Sequence, residues 1–309
     1  MTASQPVEGV PQELVVAVVP AKDEEARIGA TLAALRLLPQ VGAVVVVDDG
    51  SSDQTAHVAE WAGQVEVVRH ERNRGKAAAM TTGVARAQEI MPGAPVLFVD
   101  ADLEETAAEL GPIITPVLVG MAEMTIAVLP PQQGAAGLGL VVRAATAGIR
   151  QLTGWEPTQP LSGQRCLTRE ALLDAMPLAR GWGVEVGLTV DVIRSGGRVL
   201  EIPCEVRHRA TGRDLASQTH RARQLADVSL ALAERSGVSD KVREGGIEGS
   251  RIAREQGSRL AQTARERGVP LARRTASQVN EQVQRHGRPL LDRARAAYED
   301  RARKQHPDA

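Results

Sequence analysis

The stretch Val96-Leu97-Phe98-Val99-Asp100-Ala101-Asp102 runs four apolar residues into two carboxylates spaced one residue apart. An earlier run, Val44 to Val47, ends the same way in Asp48-Asp49. Short continuous apolar runs bounded by turn residues read as strands buried on both faces, the kind found in parallel sheets. In open α/β sheets, ligands bind outside the carboxyl ends of such strands. A closely spaced carboxylate pair there suits a hard divalent cation such as Mg²⁺ or Mn²⁺ holding phosphate.

Working outward, β-branched runs alternate with amphipathic stretches, which is the pattern of βαβ units around a mostly parallel sheet. Strands are expected at 15–19, 43–47, 65–69, 96–99, 124–129, 163–166 and 198–202. Helices are expected at about 24–38, from Ser52 onward, at 75–91, after Asp102, at 169–176 and at 184–195. Ser51, Ser52 and Asp53 are the N-cap candidates of the second helix. The Gly-rich stretch Gly134 to Gly139 is expected to form a mobile loop, of the kind that often closes over ligands.

The 309 residues hold one Phe, one Tyr and three Trp, so Val, Ala and Leu must fill the core. The formal net charge of −1 conceals a division: residues 237–309 carry 16 Lys+Arg against 10 Asp+Glu, and the remainder is acidic. This tail is Arg-, Ala- and Glu-rich and broken by glycines, so it is expected to form loose helices or a disordered tail. The expected organisation is a disordered N-terminus at 1–13, a catalytic unit at 14–236 and the tail at 237–309. Two cysteines, Cys166 and Cys204, without C-x-x-C spacing fit free buried thiols in a reducing cytoplasm. No signal peptide is evident, and the longest apolar stretch, 112–129, is interrupted by Pro116, Gly120 and Glu123, which argues against a membrane span.

Four segments carry chemistry if they converge at strand ends. Pro20-Ala21-Lys22-Asp23-Glu24-Glu25 breaks the first strand into an acidic turn. In Asp48-Asp49-Gly50-Ser51-Ser52-Asp53-Gln54-Thr55, a carboxylate can accept from a nucleobase or ribose while helix N–H groups face phosphate. Asn73-Arg74-Gly75-Lys76 opens a helix beside two cations, with Lys76 able to neutralise a diphosphate. It lacks Walker A spacing. Asp100-Ala101-Asp102 completes the set.

Together with Leu161-Ser162-Gly163-Gln164-Arg165, Gly181-Trp182-Gly183-Val184-Glu185 and Arg207-His208-Arg209, these segments resemble family 2 glycosyltransferases of GT-A fold over about residues 14–225. The later part is similar to glucosyl-3-phosphoglycerate synthases and polyprenyl-phosphate sugar transferases. The resemblance implies a Rossmann-like, mostly parallel sheet flanked by helices, and a hexose transferred from a UDP- or GDP-linked donor to a small anionic or lipid-phosphate acceptor. It implies that Pro20, Ala21, Glu24, Asp49, Lys76, Asp100 and Ala101 line the nucleotide sugar, with Asp100 on the nucleotide ribose or the metal, and that Asp102 and His208 hold Mg²⁺ or Mn²⁺. Glu185, which begins a helix after the Gly-Trp-Gly turn, is the candidate catalytic residue on the acceptor side. Arg165, Arg207 and Arg209 are candidates for gripping an anionic acceptor, because guanidinium binds phosphate and carboxylate well.

The acceptor loop that the resemblance implies, Pro130 to Pro160, lacks the long insert of phosphoglycerate enzymes, and Asp23 stands where many relatives carry Asn. Nucleic acid is not an expected partner; a membrane-surface contact through the tail and a homodimer are compatible with the sequence. Two other classes fit the residues less well. A nucleotidyltransferase needs a Gly-rich loop after its first strand, which is missing. A silent scaffold is disfavoured by the intact acidic pair.

Overall fold

The computed structural model describes residues 14–130, 139–207 and 215–236, with side chains from 215–222 excepted. The strands are β1 (Val15–Ala21), β2 (Val41–Asp48), β3 (Glu66–Arg69), β4 (Val96–Phe98), β5 (Met124–Val128), β6 (Arg165–Leu167) and β7 (Val199–Pro203). They form a seven-stranded sheet in the order β3-β2-β1-β4-β6-β5-β7. Every pairing is parallel except those of β6, which runs antiparallel between β4 and β5. The helices are α1 (Ile28–Leu35), α2 (Thr55–Trp61), α3 (Lys76–Ile90), α4 (Gly111–Leu118), α5 (Gly139–Thr153), α6 (Arg169–Asp174), α7 (Val184–Arg194) and α8 (Leu215–Arg235).

Alternation at period two assigns the strand residues to two cores. Val15, Ala17 and Val19 of β1, with Leu97 and Val99, pack with residues of α1 and α4. Val16 and Val18, with Val96 and Phe98, pack with residues of α3, α6 and α7. Small residues allow close layering: a Cβ on Gly83 of α3 would lie 2.3 Å from Val18 Cγ1. A third cluster joins Val141, Ala145 and Ile149 of α5 to Val186 and Val190 of α7 and Val228 of α8.

Strand positions match the sequence expectation to within a few residues; two helix starts do not. α1 begins at Ile28 rather than near Glu24, and α2 at Thr55 rather than near Ser52. The residues between are spent lacing the two loops together. Ser52 donates through its N–H and hydroxyl to Asp23 Oδ1, and the Asp23 N–H donates to Ser51 Oγ. The Gln54 N–H donates to Glu25 and the Glu25 N–H to Asp53. Asp23 has φ +54, a left-handed conformation that Asn and Asp tolerate best. Hydrogen bonds from Lys22 and the Ser52 N–H hold its carboxyl down at about 2. The segment expected as an acceptor loop instead contains the 15-residue helix α5; Pro131 to Leu138, with most of the Gly-rich stretch, lie outside the described residues.

At the amino ends of β5 and β7, Arg198 grips Glu123 with Nε and Nη2 at 3.0 and 2.7 Å, and the Arg198 N–H adds a third bond at 2.6 Å. The hydrogen bond from the Arg198 side chain is the main cause that holds the Glu123 carboxyl at about 2. A depressed carboxyl stabilises the fold above its unfolded value and loses that contribution as pH falls through the folded one. The loss is therefore expected between about pH 4.5 and pH 2. The Glu123 side chain keeps 32% of its surface exposed, so screening limits the contribution to about 1 kcal/mol. Thermal melting of Glu123→Gln should show a shallower decline than the native chain across that window; parallel curves would remove this pair from the account of acid sensitivity.

Candidate active site

The carboxyl ends of β1, β2 and β4 carry the acidic turns, and two buried side chains fix the turn after β4. Thr31 of α1, fully buried, donates its hydroxyl to the Ala101 carbonyl at 2.9 Å and accepts from the Glu104 N–H at 2.8 Å. Gln164, also fully buried, accepts the Asp100 N–H at 2.9 Å and donates from its amide to Asp100 Oδ2 at 2.7 Å. One side chain thus holds both the backbone and the carboxylate of Asp100. Ala101 is buried and Asp102 is half-buried at the mouth of this turn.

Lys76, the first residue of α3, reaches across to two acids from different parts of the chain. Its Nζ lies 2.8 Å from Asp100 Oδ1 and 2.9 Å from Glu185 Oε1. Burial alone would lower the ammonium's pKa, but the charges of Asp100 and Glu185 outweigh it and hold Lys76 protonated well above the ordinary lysine range. Gly163 forms the floor of this cluster. A Cβ there would come within 2.7 Å of Asp100 Oδ2 and 2.9 Å of Lys76 Nζ, so only glycine leaves the pair its place.

Glu185 sits in the first turn of α7 and is 4% exposed. The turn before it is pinned by α8. Trp182 N–H donates to Asp227 at 3.0 Å, and a Cβ on Gly183 would lie 2.7 Å from the Ala231 Cβ and the Asp227 carbonyl. Gly181, at φ +58, has no room for a side chain beside Asp227. The Arg235 guanidinium grips Asp191 and ties α8 to α7. Trp182 itself remains 36% exposed.

At the carboxyl end of β1, Pro20 and Ala21 close the strand, and the Ala21 carbonyl accepts the Asp49 N–H at 2.9 Å. The Glu24 N–H donates to Thr55 Oγ1 at 2.7 Å while its carboxylate accepts from Arg27 at 2.7 Å. The Asp49 carboxylate is turned inward: it accepts from the Arg74 and Gly75 N–H groups at 2.9 and 2.7 Å and lies 2.7 Å from His70 Nδ1. It organises the loop in front of Lys76.

Arg165 does not fit the expected acceptor role. It lies on β6 in the middle of the sheet and is fully buried. Its guanidinium donates to the Ser162 and Pro160 carbonyls and the Thr189 hydroxyl at 2.8, 2.9 and 2.8 Å. Burial lowers its pKa to about 10, partly offset by Glu185 and Glu201. It supports the 160–162 turn that leads to Gly163. Arg207 is exposed and its N–H donates to Thr106 Oγ1 at 3.2 Å, beside the turn that follows Asp102. His208 and Arg209 lie outside the described residues.

Sequence reading missed Thr31, Gln164 and His70. Gln164 stood inside a quoted segment, but nothing local marks a contact made across 64 positions.

A family model for glycosyl transferase family 2 matches residues 16–154. A glucosyl-3-phosphoglycerate synthase of Mycolicibacterium paratuberculosis is 32% identical over 253 residues, covering 72% of this chain and 72% of the relative. The chain belongs to glycosyltransferase family 2. A second such synthase, from Mycolicibacterium smegmatis, is 30% identical across 72% of this chain and 78% of its own length. The solved glucosyl-3-phosphoglycerate synthase of Mycobacterium tuberculosis, crystallised with Mn²⁺, UDP-glucose and phosphoglyceric acid, superposes with a TM-score of 0.61 at 29% identity, covering 73% of this chain and 80% of that one. A structure of that enzyme with Mg²⁺ and UDP gives a TM-score of 0.59. The fold is accordingly GT-A, and the enzyme is a glycosyltransferase rather than a nucleotidyltransferase or a silent scaffold.

Among the described residues no three His, Cys, Asp or Glu side chains converge into a ready-made metal cage. No helix among the described residues is long and apolar enough to cross a membrane.

Proposed function

We propose that residues 14–236 transfer glucose from UDP-glucose to a small anionic acceptor of the phosphoglycerate type. The observation that carries this reading is the Lys76–Asp100–Glu185 cluster, which brings a diphosphate-neutralising cation and an acceptor-side acid to one point. The relatives' donor and acceptor support it. Asp102, with Asp100 beside it and His208 as the further candidate ligand, would hold a divalent cation, which would supply charge neutralisation for the leaving diphosphate.

Lys76 contributes a second positive charge on the same oxygens, in a site shielded enough for it to matter. Pro20, Ala21 and Glu24 border the nucleoside, with Asp49 acting there through the loop it shapes. In the reaction the bond from the sugar's anomeric carbon to the diphosphate oxygen breaks, one forms to the acceptor oxygen, and the acceptor's hydroxyl proton is released. Glu185, ion-paired to Lys76, orients the sugar and acceptor at this junction. Arg207 is the described candidate for meeting the acceptor's negative charge, and Arg209 is a further candidate by its sequence position. The buried free thiols Cys166 and Cys204 suit a cytoplasmic setting.

The test is calorimetry of UDP with Mn²⁺, followed by transfer assays with UDP-glucose and GDP-glucose against 3-phosphoglycerate and polyprenyl phosphate. Mn²⁺-dependent UDP binding and glucosylation of 3-phosphoglycerate are expected. Asp102→Ala should lower Mn²⁺-dependent UDP affinity at least about tenfold, the loss typical of a disturbed metal site. No UDP binding by the native chain, or turnover only on the lipid phosphate, would overturn the reading.

A further inference from the structure

We propose that His70 is a positioning residue for the diphosphate-binding end of α3, acting through Asp49. This rests on Lys76 meeting the donor diphosphate, as above.

His70 lies just past β3, where its N–H continues the ladder by donating to the Asp48 carbonyl at 2.9 Å. Its side chain is 5% exposed and both ring nitrogens are engaged, Nδ1 with Asp49 Oδ1 at 2.7 Å and Nε2 with Thr82 Oγ1 at 3.0 Å. A carboxylate oxygen accepts, so Nδ1 is the donor toward Asp49, while Nε2 shares a hydrogen bond with the Thr82 hydroxyl. The imidazole therefore touches three things at once: the end of β2, the exit of β3 and the body of α3. With no free nitrogen and almost no exposed surface, it cannot act on substrate directly.

Its influence passes to the loop before Lys76. Asp49 receives the N–H groups of Arg74 and Gly75, the two residues preceding Lys76. Gly75 is the N-cap of α3, at φ +90, and no side chain caps it, so this carboxylate and Asn73 Oδ1 are what orient the helix start. The loop is also pressed onto the turn below, since a Cβ on Gly50 would lie 2.6 Å from the Arg72 carbonyl carbon and the Asn73 nitrogen. A carboxylate that must accept two amides in a fixed direction needs its own torsion fixed, and His70 is the side-chain donor that fixes it. Misplacing a charged group by an ångström is enough to cost an enzyme activity.

The experiment compares His70→Leu, which removes the donor, with His70→Asn, whose amide can stand at the Nδ1 position. In His70→Leu, UDP-glucose KM should rise about tenfold while the acceptor KM stays unchanged; His70→Asn should recover most of the loss. Asp49→Asn should show a similar donor defect, and adding His70→Leu to it should cost little more, because both changes break one link. Amide hydrogen exchange gives a readout that needs no donor: Arg74 and Gly75 should exchange faster in His70→Leu, with the strand amides of β1 and β2 unchanged. Unaltered exchange at these two amides would overturn the proposal, as would equal losses in His70→Leu and His70→Asn accompanied by a shared fall in melting temperature. If the native chain bound no UDP, the functional reading would fail while the exchange result still judged the positioning role.

Discussion

Lys76→Met should lower kcat/KM about 10²- to 10³-fold, the usual cost of removing one preorganised charge from a developing anion. The same substitution should destabilise the substrate-free protein. It leaves Asp100 and the 4%-exposed Glu185 facing each other without the ammonium that lies 2.8 and 2.9 Å from them. Breaking a buried pair costs about 3–5 kcal/mol, and the lower end applies because the Lys76 and Asp100 side chains keep 21% and 24% of their surface. Lys76→Arg would keep the charge but not the shape, since a planar fork cannot replace a compact ammonium resting on Gly163. Steady-state kinetics and denaturant midpoints on the three proteins measure both effects. If Lys76→Met kept native turnover, the ammonium would have no part in leaving-group stabilisation.

Gly163→Ala should separate activity from stability. The added Cβ meets only the ends of two side chains, the Asp100 carboxylate and the Lys76 ammonium. Such atoms usually move aside at small cost. Here they are held, Asp100 by the Gln164 amide and Lys76 by Glu185. The pair must therefore part or shift by several tenths of an ångström at the point where the diphosphate is to be neutralised. A loss of kcat of about 10²-fold is expected with a melting temperature close to native. Native turnover in Gly163→Ala would show that the cluster has slack. A large fall in melting temperature would place the strain in the backbone.

The strands and most helices could be read because apolar runs and their bounding turns are local signals. α5 was passed over: Val141, Ala145 and Ile149 recur at helical spacing, but the helix follows a Pro- and Gly-rich stretch whose composition pointed to a loop. The late starts of α1 and α2 were hidden because Asp23, Glu25, Ser51, Ser52 and Asp53 bond across loops instead of capping their own helices. In the site, Asp100, Lys76 and Glu185 were legible as separate motifs. Their meeting was not, since it depends on tertiary placement of residues from three segments. Arg165 misled because a guanidinium reads as surface charge, whereas β6 is an antiparallel insertion in the sheet's interior and the 160–162 turn supplies carbonyls to receive it. Asp49, expected at the nucleoside, also serves its own loop, since a carboxylate at a strand end can do both.

The clamp of α8 on the Gly181-Trp182-Gly183 turn also bears on synthesis. Asp48, Lys76, Asp100 and Asp102 all belong to the first 102 residues, whereas Asp227, Ala231 and Arg235 are among the last described. Chains emerge from the ribosome amino end first, and a domain generally folds as a unit. The acidic turns are therefore made long before the helix that fixes the turn ahead of Glu185. Until that helix is synthesised, the unit lacks the partner that holds Glu185 in place. The site becomes whole only when α8 leaves the exit tunnel.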